Sequence, residues 1–171
     1  ASIRCLSRDG LAAAVLVSSE VGSERLLAVG PSSSRLLWRG QATEGTIGQR
    51  RAYLCGGKNG RTAVAVSLGS GAARAIARLP RFTGPLTASP GGRYLAGFAV
   101  DWSDFTDPQP SRVVLVDAQT GAVRTAPLGG PYVTAKTLWL RHDRLVVVPG
   151  GGELDRVRVF DLSLRERGEG E

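Results

Sequence analysis

Apolar residues along this chain come in short bursts, not in helical or heptad stripes. Leu11–Val17, Thr62–Val66, Arg112–Val116, Arg144–Val148 and Val157–Phe160 are rich in Val, Leu and Ala and are bounded by Gly, Pro, Ser, Asp and Asn. Runs this short, closed off by turn residues, predict β-strands buried on both faces. The Ala-rich ones would suit a helix by propensity, but their length and flanks favour strands. No long helix is expected.

The polar punctuation repeats. Ser7-Arg8-Asp9-Gly10, Gln49-Arg50-Arg51, Ser89-Pro90-Gly91-Gly92 and Arg141-His142-Asp143 each precede an apolar run, at steps of about 42, 40 and 52 residues. Four-stranded propeller blades recur every ~40 to 50 residues. The long third step carries an insertion, Trp102–Pro110. The spacing therefore predicts an all-β, propeller-like array of four-stranded antiparallel blades over 1–45, 46–85, 86–133 and 134–164, with the first strand of each innermost and 165–171 a charged flexible tail. A β-sandwich is the alternative, since it too has many short strands. A sandwich, however, gives no reason for the same turn to return once per unit.

In the third unit Ser89-Pro90-Gly91-Gly92-Arg93-Tyr94-Leu95-Ala96 is followed by Val114-Leu115-Val116-Asp117-Ala118-Gln119-Thr120-Gly121. This resembles the repeat of TolB-like propellers, in which a Ser-Pro-Asp-Gly turn, a Leu-Ala strand and a Val-x-Asp-x-x-Thr-Gly turn recur in every blade. The first unit keeps Ser7, Asp9 and Gly10, and the second and fourth match in outline. The resemblance implies a propeller. Because six to eight blades are usual in that family, it also implies that further blades complete the four read here.

At 171 residues with 42% hydrophobic content, the chain is large enough to bury a core. It contains no Met, which reads as a mature or trimmed piece, and no apolar run approaches the ~20 residues of a membrane-spanning helix. An extracytoplasmic address is expected. The net charge is +7, but the basic residues are nearly all Arg, scattered at strand ends, with only Arg50-Arg51 adjacent and Arg74, Arg78 and Arg81 loosely grouped. Nucleic acid is not expected as a partner, because a site for it concentrates charge on one stripe. Cys5 and Cys55 are too few for a disulfide scaffold and are expected as two thiols in adjacent sheets, with a single bridge in an oxidising compartment as the alternative.

Candidate chemistry is sparse. His142 is the sole histidine, and there is no G-x-S-x-G elbow, so a serine-hydrolase triad is not expected. Gly56-Gly57-Lys58-Asn59-Gly60-Arg61-Thr62 departs from a phosphate loop and reads as a hairpin turning at Asn59-Gly60. Asp101, Asp104 and Asp107 lack the alternate spacing of a calcium loop. No metal or cofactor is expected. The Trp102–Pro110 insertion belongs to the face where second-to-third-strand loops and inter-blade links open, together with Arg39, Gln41, Lys58, Arg61, Arg81, Phe82, Tyr132, Glu153 and Asp155, the insertion itself supplying Trp102, Asp104 and Phe105. A mixed aromatic and charged rim suits a protein or glycan partner. The expected function is thus a non-catalytic propeller module binding through one loop face. The alternative is an accessory propeller of a larger enzyme, such as a serine peptidase, with its catalytic domain elsewhere.

Overall fold

The computed structural model describes residues 2–5, 13–18, 23–30, 32–48, 50–57, 61–80, 83, 85–101, 109–128, 134–140, 144–150 and 157–169. These form four antiparallel sheets of four strands each, and no helix occurs among them. The first sheet is β1 (Ser2–Cys5), β2 (Ala13–Ser18), β3 (Glu24–Val29) and β4 (Ser34–Gly40). The second is β5 (Ala42–Gly48), β6 (Arg51–Gly56), β7 (Thr62–Ser67) and β8 (Ala73–Arg78). The third is β9 (Thr87–Ala88), β10 (Tyr94–Asp101), β11 (Gln109–Asp117) and β12 (Val123–Pro127). The fourth is β13 (Thr134–Trp139), β14 (Leu145–Gly150), β15 (Arg158–Phe160) and β16 (Glu166–Glu169).

Strands follow one another in chain order within every sheet, so each is a meander and the Greek-key links of a sandwich are not seen. Two boundaries differ from the spacing. The second sheet starts at Ala42, and Glu166–Glu169, expected in the tail, pairs with β15 as the outermost strand. Charge holds it there. Arg158 makes a two-pronged pair with Glu166 (Nε to Oε1 2.7 Å, Nη2 to Oε2 2.5 Å), and Arg167 Nη2 pairs with Asp161 at 2.7 Å.

Burial on both faces explains why the apolar runs do not alternate with polar residues. On β6, Ala52 and Leu54 face the first sheet while Tyr53 and Cys55 face the third. On β11, Val114 and Val116 face the second sheet, and Val113 and Leu115 the fourth. The core is therefore a series of three seams, one between each pair of successive sheets.

At the inner edge, β5 touches β9 and β9 touches β13, which puts the first strands of these sheets side by side. A threonine on each tightens this edge. Ala88 N donates to Thr46 Oγ1 (3.4 Å), Thr87 and Thr137 hydroxyls meet at 2.9 Å, and both also reach Ala96 O. Trp139 Nε1 donates to Thr87 O at 3.0 Å.

The outer edge carries a second recurring device. The second residue of each of the first three outer strands is an arginine that reaches the next sheet's third-to-fourth-strand turn. Arg35 donates to Leu68 O (3.2 Å) and Gly69 O (2.5 Å), Arg74 to Ala118 O (3.2 Å), and Arg124 to Leu162 O (2.8 Å). Arg74→Ala is expected to destabilise the chain by about 0.5 to 1.5 kcal/mol, the usual net worth of one such bond. The urea midpoint reads this, and an unchanged midpoint would remove the clasp from the account.

The turn that receives Arg124 is organised by Asp161. Its carboxylate accepts from Ser163 Oγ (2.6 Å), Ser163 N (2.8 Å), Arg165 N (3.0 Å) and Arg167 Nε (2.7 Å). The Ser163 hydroxyl first, with the Arg165 N–H, Arg167 and the Ser163 N–H, holds this carboxyl well below the usual carboxylate range against the opposing effect of desolvation. A depressed folded-state pKa gives support that is complete above the unfolded value of about 4 and is lost as pH falls through the folded value. Stability should therefore begin to fall below about pH 4, whereas the amide resonances of Ser163 and Arg165, which report the folded carboxylate, should hold until the pH is well below that. Asp161→Asn should move them already at neutral pH.

Candidate functional site

Of the residues assigned to the loop face, Lys58, Arg81, Phe82, Trp102, Asp104, Phe105, Tyr132, Glu153 and Asp155 lie outside the described residues, as does His142, while Arg39 is described in β4 and Gln41 in the link after it. Arg61 is described. It enters β7 from the second-to-third-strand loop, and its carbonyl accepts from Leu79 N at 2.8 Å, tying the loop to the link that leaves the sheet. Its side chain lines a groove of about 500 Å³ with Thr62, Ala75, Ile76, Ala77 and Arg78. The groove has an apolar floor and two guanidinium groups at its edge. Arg61 Nε is buried and has no hydrogen-bond partner among the described residues.

A buried N–H left without an acceptor costs about 1 to 3 kcal/mol, so its presence at a groove wall marks a place where a ligand oxygen would be stabilising. Arg78 was not among the residues assigned to the face, yet it stands beside Arg61. The signal that could have found it is register, because Thr62 pairs with Arg78 across β7 and β8.

Cys55 is buried in the seam between the second and third sheets, and the side chain of Cys5 lies outside the described residues. Among the described residues no cluster of three or more His, Cys, Asp or Glu side chains is gathered as a metal site. No helix among them is long and apolar enough to cross a membrane.

Successive four-stranded meanders packed face to face define a β-propeller-like fold, and the solved structures agree. An oligogalacturonate lyase from Vibrio parahaemolyticus superposes with a TM-score of 0.68 at 15% identity, over 96% of this chain and 50% of that one. Apo AztD from Citrobacter koseri gives 0.66 at 13% identity, over 98% and 46%. A puromycin hydrolase gives 0.60 at 17% identity, over 99% and 29%. At these identities the likeness is one of fold. The chain spans about half the length, or less, of the structures it matches. No protein-family profile matches the sequence, and no curated protein is significantly similar to it.

Proposed function

We propose that this chain is an open, four-bladed segment of a larger propeller of TolB-like type that works outside the cytoplasm as a non-catalytic binding module. Its ligand, a protein or a surface glycan, would be taken on the face where the second-to-third-strand loops open. The observation that carries the reading is the groove at Arg61 and Arg78, where the buried Arg61 Nε has no hydrogen-bond partner among the described residues. The TolB-like reading draws on the Ser89 turn, where Gly92 N donates to Ser89 O (2.8 Å) and Tyr94 N to Ser89 Oγ (3.1 Å). It draws as well on the Asp117 turn, closed by Gly121 N donating to Asp117 O at 2.8 Å.

Openness of the segment is supported by the far face of the fourth sheet. Thr137 and Trp139 point at the third sheet, so Leu138 and Leu140 point away from it, and they are 54% and 48% exposed. Leu138 pairs with Val146 and Val146 with Val159, an apolar row that is exposed at Leu138, half-buried at Val159 and buried at Val146, with no described sheet opposite. The clasp fits the same reading. Arg167, second residue of β16, stands where Arg35, Arg74 and Arg124 stand in the other outer strands, but it folds back on Asp161 of its own sheet. A further blade would offer it a turn carbonyl. The second reading, an accessory propeller of a larger enzyme, shares this surface and is favoured by the lyase and hydrolase names among the fold neighbours.

Two variants test the binding face. Trp102→Ala and Phe105→Ala are expected to leave the melting temperature nearly unchanged, because aromatics on a binding rim contribute little to the fold. A loss of about 3 to 5 kcal/mol in either would mean that the side chain is packed core, and would remove the insertion from the binding face.

A further inference from the structure

At the opposite ends of these strands, away from the Arg61 groove, the tight turns of the second and third sheets enclose a cleft of about 450 Å³. We propose that this cleft binds a small polyanion, a molecule carrying two or more carboxylate or phosphate groups. Four arginines line it: Arg50 and Arg51 from the β5–β6 turn, Arg74 from β8, and Arg93 from the β9–β10 turn. Among the described residues no acidic side chain lines it. The carboxylate of Asp117, which pairs with Arg93 (3.3 Å), is committed as well to the backbone N–H groups of Gln119 (2.8 Å) and Thr120 (3.2 Å). Arg74 donates to the neutral Ala118 carbonyl, which leaves its charge uncompensated. Arg50 and Arg51 make no ion pair or side-chain hydrogen bond among the described residues. Like charges so gathered repel one another, and an anion relieves the repulsion while using the forked N–H donors of each guanidinium.

The cleft is also built to stay open. Tyr53, 3% exposed, forms its floor and donates its hydroxyl to Gly92 O at 2.6 Å, while the Arg74 clasp ties the two sheets at the outer side. Gly91 has nothing within 4 Å of where a Cβ would stand, so a ligand can come close to that backbone. The volume falls in the ~300 to 1,000 Å³ range of small-molecule sites. Arg51 on β6 and Arg74 on the outer strand β8 stand on the same face of the sheet as Tyr53 and Ala65, so their charges reach a ligand from the inner and outer parts of that face.

Calorimetric titration of the intact chain with pyrophosphate and with citrate, at physiological ionic strength, tests the proposal. At least one probe should bind saturably with one site per chain, more weakly as salt is raised, and the preferred probe tells phosphate from carboxylate recognition. The double variant Arg50→Gln/Arg51→Gln should weaken that binding at least tenfold. Its control, Arg112→Gln/Arg144→Gln, removes the same charge from exposed positions away from the cleft and should leave binding within twofold. Absence of saturable binding by both probes, or equal weakening in the two double variants, overturns the proposal. Far-UV circular dichroism and melting of each variant establish that the fold is kept, as the exposure of all four side chains leads one to expect.

Discussion

Replacing Phe160 with alanine is expected to lower the free energy of unfolding by about 3 to 5 kcal/mol, the range for emptying a fully buried aromatic site. Phe160 is 1% exposed and sits in the seam between the third and fourth sheets with Val113, Leu115, Leu145 and Val147. Arg158 lies over its ring, 5.3 Å from the centroid, and also donates to Leu128 O, so the substitution loosens that tie between sheets as well. In a chain of this size each kcal/mol moves the midpoint by about 2 to 4 °C, so the drop is large on any thermal scan. Leu138→Ser on the far face of the same sheet should change stability by no more than about 0.5 kcal/mol, as exposed substitutions do. The contrast between the two separates the packed face from the open one.

Gly121→Ala should be the next most damaging change, at about 2 to 4 kcal/mol. Gly121 has φ +79°, where an L side chain is strained, and a Cβ there would lie 2.6 Å from the backbone oxygen of Ile76 in the preceding sheet. The obstacle is backbone, which cannot swing aside as a side chain can. Gly71 repeats the arrangement one sheet earlier, with φ +76° and the Leu37 oxygen at 2.8 Å. The Gly-ended turn is thus where one blade is pressed against the next. Chemical denaturation of Gly121→Ala and Gly91→Ala side by side checks the claim. Gly91 has open space around it and lacks a positive φ, so its replacement should be near neutral.

Much of this was legible in the residues. The returning turns marked the sheets to within a few residues, and the Asp117-to-Gly121 turn could be read from its own chemistry. Less legible was which face of a strand meets which neighbour. On β6 and β11 both faces are buried, so no polar residue labels either one. The outer strand β16 was hidden because Glu166-Arg167-Gly168-Glu169 has the composition of a tail, and only the partners Arg158 and Asp161, brought close by folding, make it a strand.

The arginines were the largest gap between sequence and structure. Along the chain Arg35, Arg74 and Arg124 look like part of a scattered basic excess, because the third unit's insertion stretches their spacing. Aligned on their strands they occupy one position and do one job, reaching the next sheet's turn. The adjacent pair Arg50 and Arg51 is likewise far from Arg93 in sequence but meets it at one cleft once the tight turns of two sheets are set side by side. As for the loop face, of the assigned residues only Arg39, Gln41 and Arg61 lie among the described ones. Arg78, the neighbour of Arg61, emerged from strand register, which spacing by itself does not give.

The central claim is an open arc with an uncovered face on the fourth sheet, and methyl-resolved nuclear Overhauser spectroscopy tests it most directly. Cross-peaks are expected from the methyls of Leu115 to those of Leu145 and to the Phe160 ring, across the seam between the third and fourth sheets. The methyls of Leu138 and Leu140 should show cross-peaks only within their own sheet, to Val146 and its neighbours. Cross-peaks from Leu138 or Leu140 to the first sheet would mean that the four blades close on themselves, and would contradict the account.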